Sequence, residues 1–261
     1  MKNIGFIGAG NMGTAIIKAL TGSRFNIYAF DPDISKTSKL DVTVCKNSTE
    51  LAENCEIVFL AVKPQVFDSV LKEIAGSVTE NTVLVSIAAG IDSKYIRERT
   101  RPNAKVILAM PNTPLLLGKG AVALAKSDSV TAEEFAVIDK IFSYCGITGT
   151  LPEDKMKHII AINGSSPAFI YLFAKGFTDY AKENGIDEGT AMRLFCQTLT
   201  GSASMLTDSG YSIDSLIEMV SSPGGTTLAG LKKFYDANLT ETVRSACEAC
   251  TERAFELGGK F

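Results

Sequence analysis

The sequence predicts an α/β fold, with a doubly wound, mostly parallel sheet over residues 1–150 and a second, all-helical domain over residues 151–261. Three observations lead there. Short apolar runs without internal charge alternate with amphipathic stretches through the first half, the pattern of buried parallel strands covered by helices on both faces. The first run ends in a glycine-rich turn that opens a helical stretch. Beyond about residue 151 the apolar residues keep only helical spacing.

Taken in order, NIGFIG (3–8) reads as the first strand and NMGTAIIKAL (11–20) as its helix. NIYAFD (26–31) and EIVFLAV (56–62) read as the next two strands, followed by the amphipathic helix VFDSVLKEIAG (66–76). TVLVSIAAG (82–90) is another buried strand, and DSKYIRERT (92–100) a helix with Asp92 as its cap. KVILAMP (105–111) and GAVALAKS (120–127) complete six strands. TAEEFAVIDKIFSYC (131–145) is a helix in which Thr131 and Glu134 have the spacing of a capping box. Pro152 opens the helical region, with breaks expected near 163–167, 184–185, 209–210 and 223–225, and a helix over 226–237. So small a helical domain, rich in Ala, Leu, Ile and Phe, is expected to finish its core against a second copy, giving a homodimer.

A formal net charge of −3 gives no reason to expect a nucleic-acid partner. No apolar run approaches the ~18 residues that span a bilayer, so no membrane partner is expected either. The start, MKNIGFIGAG, reads as a mature strand rather than a signal peptide. The six cysteines lie mostly in apolar segments, a reduced pattern that places the chain in the cytoplasm. Cys247 and Cys250 form a lone CxxC in a helical stretch, and His158 is the only histidine, so no metal site is expected.

Gly8, Ala9, Gly10, Asn11, Met12 and Gly13 match G-x-G-x-x-G after a strand and before a helix, with Asp31 at the end of the next strand, 23 residues after Gly8. That context makes a dinucleotide site. Gly8 permits the tight turn, Gly10 lets the backbone approach the pyrophosphate, and Gly13 allows close helix–strand packing. The helix N-terminus supplies unpaired N–H groups and a positive dipole end. A carboxylate at Asp31 accepts from the ribose hydroxyls and repels a 2′-phosphate, which leans toward NADH; Lys36 offsets part of that repulsion. The blander reading is that Asp31 only caps its own turn.

Further strand ends lie on the same sheet edge. Ala61, Val62, Lys63 and Pro64 follow the third strand, Ala88, Ala89 and Gly90 the fourth, and Asn112 the fifth. Ligands of open α/β sheets bind beyond the carboxyl ends of strands, where small residues let the nicotinamide half lie against the backbone. Each end taken singly also reads as an ordinary strand-to-helix turn.

GFIGAGNMG, LAVKPQ, SIAAGI, MPNTP and SSPGGTTLAGL, in that order and covering essentially the whole chain, resemble the pyrroline-5-carboxylate reductases. The resemblance implies reduction of 1-pyrroline-5-carboxylate to L-proline by NADPH or NADH, the last step of proline biosynthesis. It implies an N-terminal Rossmann domain and a helical domain that dimerises by intertwining, with the substrate near the dimer interface and larger assemblies built from dimers. Family members often prefer NADPH.

The loop Ser222-Pro223-Gly224-Gly225-Thr226-Thr227 precedes the helix expected over 226–237. Its glycines expose N–H groups, the helix terminus favours an anion, and the hydroxyls of Ser222, Thr226 and Thr227 add donors, which together make a carboxylate cradle. A plain helix cap with a flexible glycine entry is the alternative. By the resemblance, Thr227 matches the position whose hydroxyl approaches the ring nitrogen of the substrate.

Two departures stand out. In the run Gly164-Ser165-Ser166-Pro167-Ala168, Ser166 replaces a glycine frequent in the family, and Asn163 replaces a residue more often small or hydroxylic. A β-hydroxyacid dehydrogenase shares the overall plan but wants a lysine near the start of the helical domain; Pro167 to Ala174 holds none, and Lys175 comes late. A related imine reductase and a non-catalytic nucleotide-binding sensor are the remaining readings, and a sensor need not keep SPGGTT.

Overall fold

The structure is a computed structural model that describes residues 2–258. An eight-stranded sheet runs β1 (Asn3–Ile7), β2 (Asn26–Phe30), β3 (Thr43–Val44), β4 (Ile57–Leu60), β5 (Val83–Ser86), β6 (Lys105–Met110), β7 (Gly120–Lys126) and β8 (Gly146–Thr150) along the chain. In space the order is β3-β2-β1-β4-β5-β6-β7-β8, parallel throughout except for the antiparallel β6–β7 pair. Intervening helices are α1 (Asn11–Ala19), α2 (Ser48–Asn54), α3 (Pro64–Ile74), α4 (Ser93–Arg99) and α5 (Ala132–Ser143).

The side chains of the central strands alternate between two cores, as a pleat with both faces covered requires. Ile57 and Phe59 of β4, Val83 and Val85 of β5, and Ile107 and Ala109 of β6 join the core that holds Ile16 of α1 and Phe142 of α5. Their neighbours Val58, Leu60, Leu84, Val106 and Leu108 join the opposite core with Phe67 and Leu71 of α3. Phe6 stacks on Phe59 with centroids 4.5 Å apart, and Phe59 meets Phe142 edge-on at 5.8 Å. The expected caps hold: the Asp92 carboxylate accepts from Tyr95 N–H at 2.8 Å, and Thr131 and Glu134 bond reciprocally.

Three elements escape the sequence pattern. Strand β3 is two residues long, α2 spans STELAEN with few apolar residues, and β8 is the edge strand GITGT, whose burial is slight. Gly146 makes β8 fit: its φ is +147°, and a Cβ there would lie 2.0 Å from the Gly120 carbonyl oxygen.

The helical part begins with α6 (Met156–Ile159), a π turn (Ile160–Ser165) and α7 (Ser166–Glu183), then α8 (Glu188–Asp208), α9 (Ile213–Met219), α10 (Thr226–Asp236) and α11 (Leu239–Gly258). The break expected at 163–167 is therefore a π turn rather than an interruption, while Asn238, at φ 50°, makes an unexpected one between α10 and α11. The compact units also divide elsewhere than at 150. One holds the chain up to Pro167 and again from Cys247 onward; the other is Ala168–Ala246. Two contacts explain the shift. Asn163 Nδ2 donates to the carbonyls of Met110 at 2.7 Å and Ala121 at 3.1 Å, binding the π turn to β6 and β7. The end of α11 lies over Gly90, with Ala254 and Gly258 backbone atoms 3.4 and 3.3 Å from where a Cβ would sit.

The unit Ala168–Ala246 has almost no core of its own: among its described residues only Ala181, at 4% exposure, is a buried hydrophobe. Phe173, Phe177, Phe195 and Phe234 cluster, with Phe177 stacked on Phe195 at 4.4 Å, yet Leu172, Phe177 and Tyr180 stay open to solvent.

Replacing Gly146 by Ala combines a clash with a strained φ, and is expected to cost about 1–3 kcal/mol, read as a lowered denaturation midpoint. An unchanged midpoint would show that β8 moves freely against Gly120.

Candidate active site

Among the described residues, nine α-helices begin after a non-helical residue, α11 after Asn238 being one of them; the other eight fall into two groups. The starts of α2, α4, α5, α8 and α9 are closed by the side chains of Asn47, Asp92, Thr131, Asp187 and Ser212, each accepting from a first-turn N–H. Those of α1, α3 and α10 follow Gly10, Lys63 and Gly225 and have no side-chain cap. Two of the uncapped three are helices at which the sequence places an anion, phosphate at α1 and carboxylate at α10; at α3 it places the nicotinamide half. Their N–H groups and positive dipole ends stay available to an anion.

Strand order reverses between β1 and β4, so a crevice opens beyond their carboxyl ends. There Gly8 has φ +99°, and a Cβ on it would lie 2.6 Å from the Ala61 carbonyl oxygen. A Cβ on Gly13 would lie 2.5 Å from the Gly8 carbonyl oxygen and 3.2 Å from Ala61 Cβ. Both glycines are demanded by the protein's own packing. Gly10 is not: nothing lies within 4 Å of its Cβ position. A bare glycine at an uncapped helix start fits the pyrophosphate of a dinucleotide.

Asp31 sits at the end of β2 with both oxygens engaged. Oδ2 accepts from Ala9 N–H at 2.9 Å; Oδ1 accepts from Asp33 N–H at 2.9 Å and from the Lys36 ammonium at 3.1 Å. Thr14 Oγ1 donates to the Ala9 carbonyl at 2.9 Å, a second tie on the same turn. Asn11 is exposed and Met12 half-buried at the start of α1.

At the end of β4, Ala61 and Val62 pack directly on Gly8 and Gly13, Pro64 opens α3, and Lys63 is exposed with no ion pair among the described residues. Ala88 and Ala89 are half-buried after β5, with Ala88 N–H reaching Ser86 Oγ at 3.3 Å. Gly90, at φ +83°, is buried beneath α11, so it shapes its turn rather than offering surface. Asn112 Oδ1 accepts from Ala121 N–H at 2.9 Å where the β6–β7 ladder opens; its amide nitrogen makes no hydrogen bond among the described residues.

In the helical unit, Gly224 has φ +70° and Gly225 N–H donates to the Ser222 carbonyl at 2.9 Å, a tight turn that sets Gly225 at the start of α10. The hydroxyls of Ser222, Thr226 and Thr227 have no partner among the described residues. Threonines inside helices here, such as Thr198 and Thr200, donate to the carbonyl four residues back. Thr226 and Thr227 occupy the first turn of α10 and make no such bond, and Thr227 is half-buried.

Residues 153–257 match the family model for pyrroline-5-carboxylate reductase dimerisation, and residues 3–90 the model for NADP oxidoreductase, coenzyme F420-dependent. The pyrroline-5-carboxylate reductase of Escherichia coli K12 is 32% identical over 264 residues, covering 98% of each chain. The chain belongs to the pyrroline-5-carboxylate reductase family. The Methanosarcina acetivorans reductase is likewise 32% identical, covering 99% of each chain. The crystal structure of Plasmodium falciparum pyrroline carboxylate reductase with NADP bound matches with a TM-score of 0.92 at 29% identity over 98% of both chains. As a member of this reductase family the chain is an NAD(P)H-dependent oxidoreductase with a self-association domain.

The glycines separate by experiment. Gly10→Ala is expected to keep the wild-type melting temperature while dinucleotide affinity falls about tenfold or more, as when a ligand loses its close backbone approach. Gly8→Ala is expected to lose stability as well. Equal affinity for Gly10→Ala and wild type, by fluorescence titration, would remove Gly10 from the pyrophosphate site.

Proposed function

We propose that the chain reduces 1-pyrroline-5-carboxylate to L-proline with NAD(P)H, the last step of proline biosynthesis. The observation that carries this reading is the occurrence in each unit of an uncapped helix start preceded by glycine, at α1 in one and at α10 in the other, in a chain of this family. The bound dinucleotide supplies the hydride taken up by the C=N carbon of the substrate.

The chain's own residues bind and orient. Backbone N–H groups at the start of α1, with Gly8, Ala9, Gly10, Asn11, Met12 and Gly13 around them, hold the pyrophosphate, and Lys63 adds a cation at the start of α3. Ala61, Val62, Pro64, Ala88 and Ala89 leave room for the nicotinamide half, with Asn112 at the edge of β6. Ser222, Gly224, Gly225, Thr226 and Thr227 hold the substrate carboxylate on the free N–H groups of α10. The Thr227 hydroxyl donates a hydrogen bond to the lone pair of the ring nitrogen, which polarises the C=N bond, makes its carbon more electrophilic and stabilises the charge that develops on nitrogen as hydride adds. Positioning of this kind supplies much of the acceleration when the cofactor carries the chemistry.

The exposed apolar face around Leu172, Phe177 and Tyr180 supports a homodimer through the helical unit, from which larger assemblies are built. The six free thiols support a cytoplasmic setting. No described helix is long and apolar enough to cross a membrane.

Initial rates with NADPH and with NADH are expected to show turnover of 1-pyrroline-5-carboxylate; cofactor binding with no turnover would favour the sensor reading. Thr227→Ala is expected to lower kcat/KM about tenfold to a hundredfold, the worth of one hydrogen bond to a centre that gains charge in the transition state, while Thr227→Ser keeps most of it. Full turnover by the alanine variant would remove Thr227 from the ring nitrogen. Light scattering is expected to give at least twice the chain mass of 27.9 kDa, and a monomeric mass would overturn the dimer.

A further inference from the structure

We propose that Lys36, through its ion pair with Asp31, sets the balance between the 2′-phosphorylated and the unphosphorylated dinucleotide, and that Asp31 anchors the glycine turn rather than gripping the ribose. The inference rests on the cofactor reading above and deepens it.

The geometry around Asp31 carries it. An uncovered carboxylate at the end of the second strand accepts from ribose hydroxyls and repels a phosphate. Here the carboxylate is covered. One oxygen is taken by Ala9 N–H, the other by Asp33 N–H and the Lys36 ammonium. Its side chain is only 7% exposed, whereas that of Lys36 is 44% exposed, so the ammonium is the member of the pair that a ligand meets. Asp33 is itself engaged through one of its two oxygens. Its Oδ1 is held by Ser35 N–H at 3.1 Å and Ser35 Oγ at 2.6 Å. Those bonds, with the nearby Lys36 charge, keep Asp33 ionised by lowering its pKa.

Lys36 is thus the only cation in the stretch 31–36, set against two carboxylates. With it in place, a 2′-phosphate meets an ammonium. Without it, the phosphate meets the charge of Asp31, and Asp31 Oδ1 is released to accept from a ribose hydroxyl. A single side chain therefore moves the two affinities in opposite senses. Asp31 has the other duty. Its bond to Ala9 N–H fixes the turn that both dinucleotides share.

The test is binding of NADPH and of NADH, with no substrate present, to the wild-type chain, Lys36→Gln and Asp31→Asn, by fluorescence or calorimetric titration. Lys36→Gln is expected to weaken NADPH about tenfold to a hundredfold, as loss of a charge-assisted bond does, and to strengthen NADH slightly, by less than about threefold. Asp31→Asn is expected to weaken both alike and to lower the melting temperature. An unchanged NADPH-to-NADH ratio in Lys36→Gln, or an Asp31→Asn variant that loses NADH alone, would overturn the inference while leaving the cofactor reading intact. A wild-type chain that binds neither dinucleotide would bring both down together.

Discussion

The approach of two backbones where β1 and β4 end governs the rest of the first unit. Gly8 turns beside the Ala61 carbonyl, and Gly13 lies against the Gly8 carbonyl, each with no room for a methyl group. A packed interior does not yield by an ångström, so α1 has one seat, with its first turn over the crevice at the reversal of strand order. Asp31 completes the arrangement from the neighbouring strand by accepting Ala9 N–H. The turn is held from below by packing and from the side by a charge-assisted bond. Only Gly10 is left with nothing against it.

Helix ends divide the molecule by purpose. Where a helix only supports the sheet or the helical unit, an Asn, Asp, Thr or Ser closes its first turn, a bond commonly worth about 1 kcal/mol. At α1, α3 and α10 that stabilisation is forgone, and a glycine or lysine stands in the cap position. The same arrangement recurs in both units, with no side-chain cap at the start of α1 or of α10.

The helical unit depends on association in a way that the sheet does not. The central strands are sealed on both faces within one chain, and the aromatic stack Phe6–Phe59–Phe142 closes one of their cores. Between Ala168 and Ala246 the large apolar side chains remain open, with Ala181 alone buried among the described residues. Burying a Leu or Phe is worth ~1.5–3 kcal/mol. A unit that leaves so many exposed gains its stability from a second copy, in keeping with its dimerisation family model.

Much of this was legible in the sequence. Buried strands such as IVFL and VLVS, the G-x-G-x-x-G turn, the Thr131–Glu134 cap and the SPGGTT loop each depend on residues close together along the chain, where local pattern and local chemistry agree. What escaped depends on distant partners. The edge strand GITGT exists because Gly146 fits against Gly120, and the π turn is bound to β6 and β7 by Asn163. Gly90 and Asp31 show the same limit within the site. The sequence determined that both would stand at strand ends facing the crevice. Only the tertiary structure decided that α11 covers the one and that Ala9, Asp33 and Lys36 occupy the other, because burial and the sharing of a carboxylate are settled by what folds back against it.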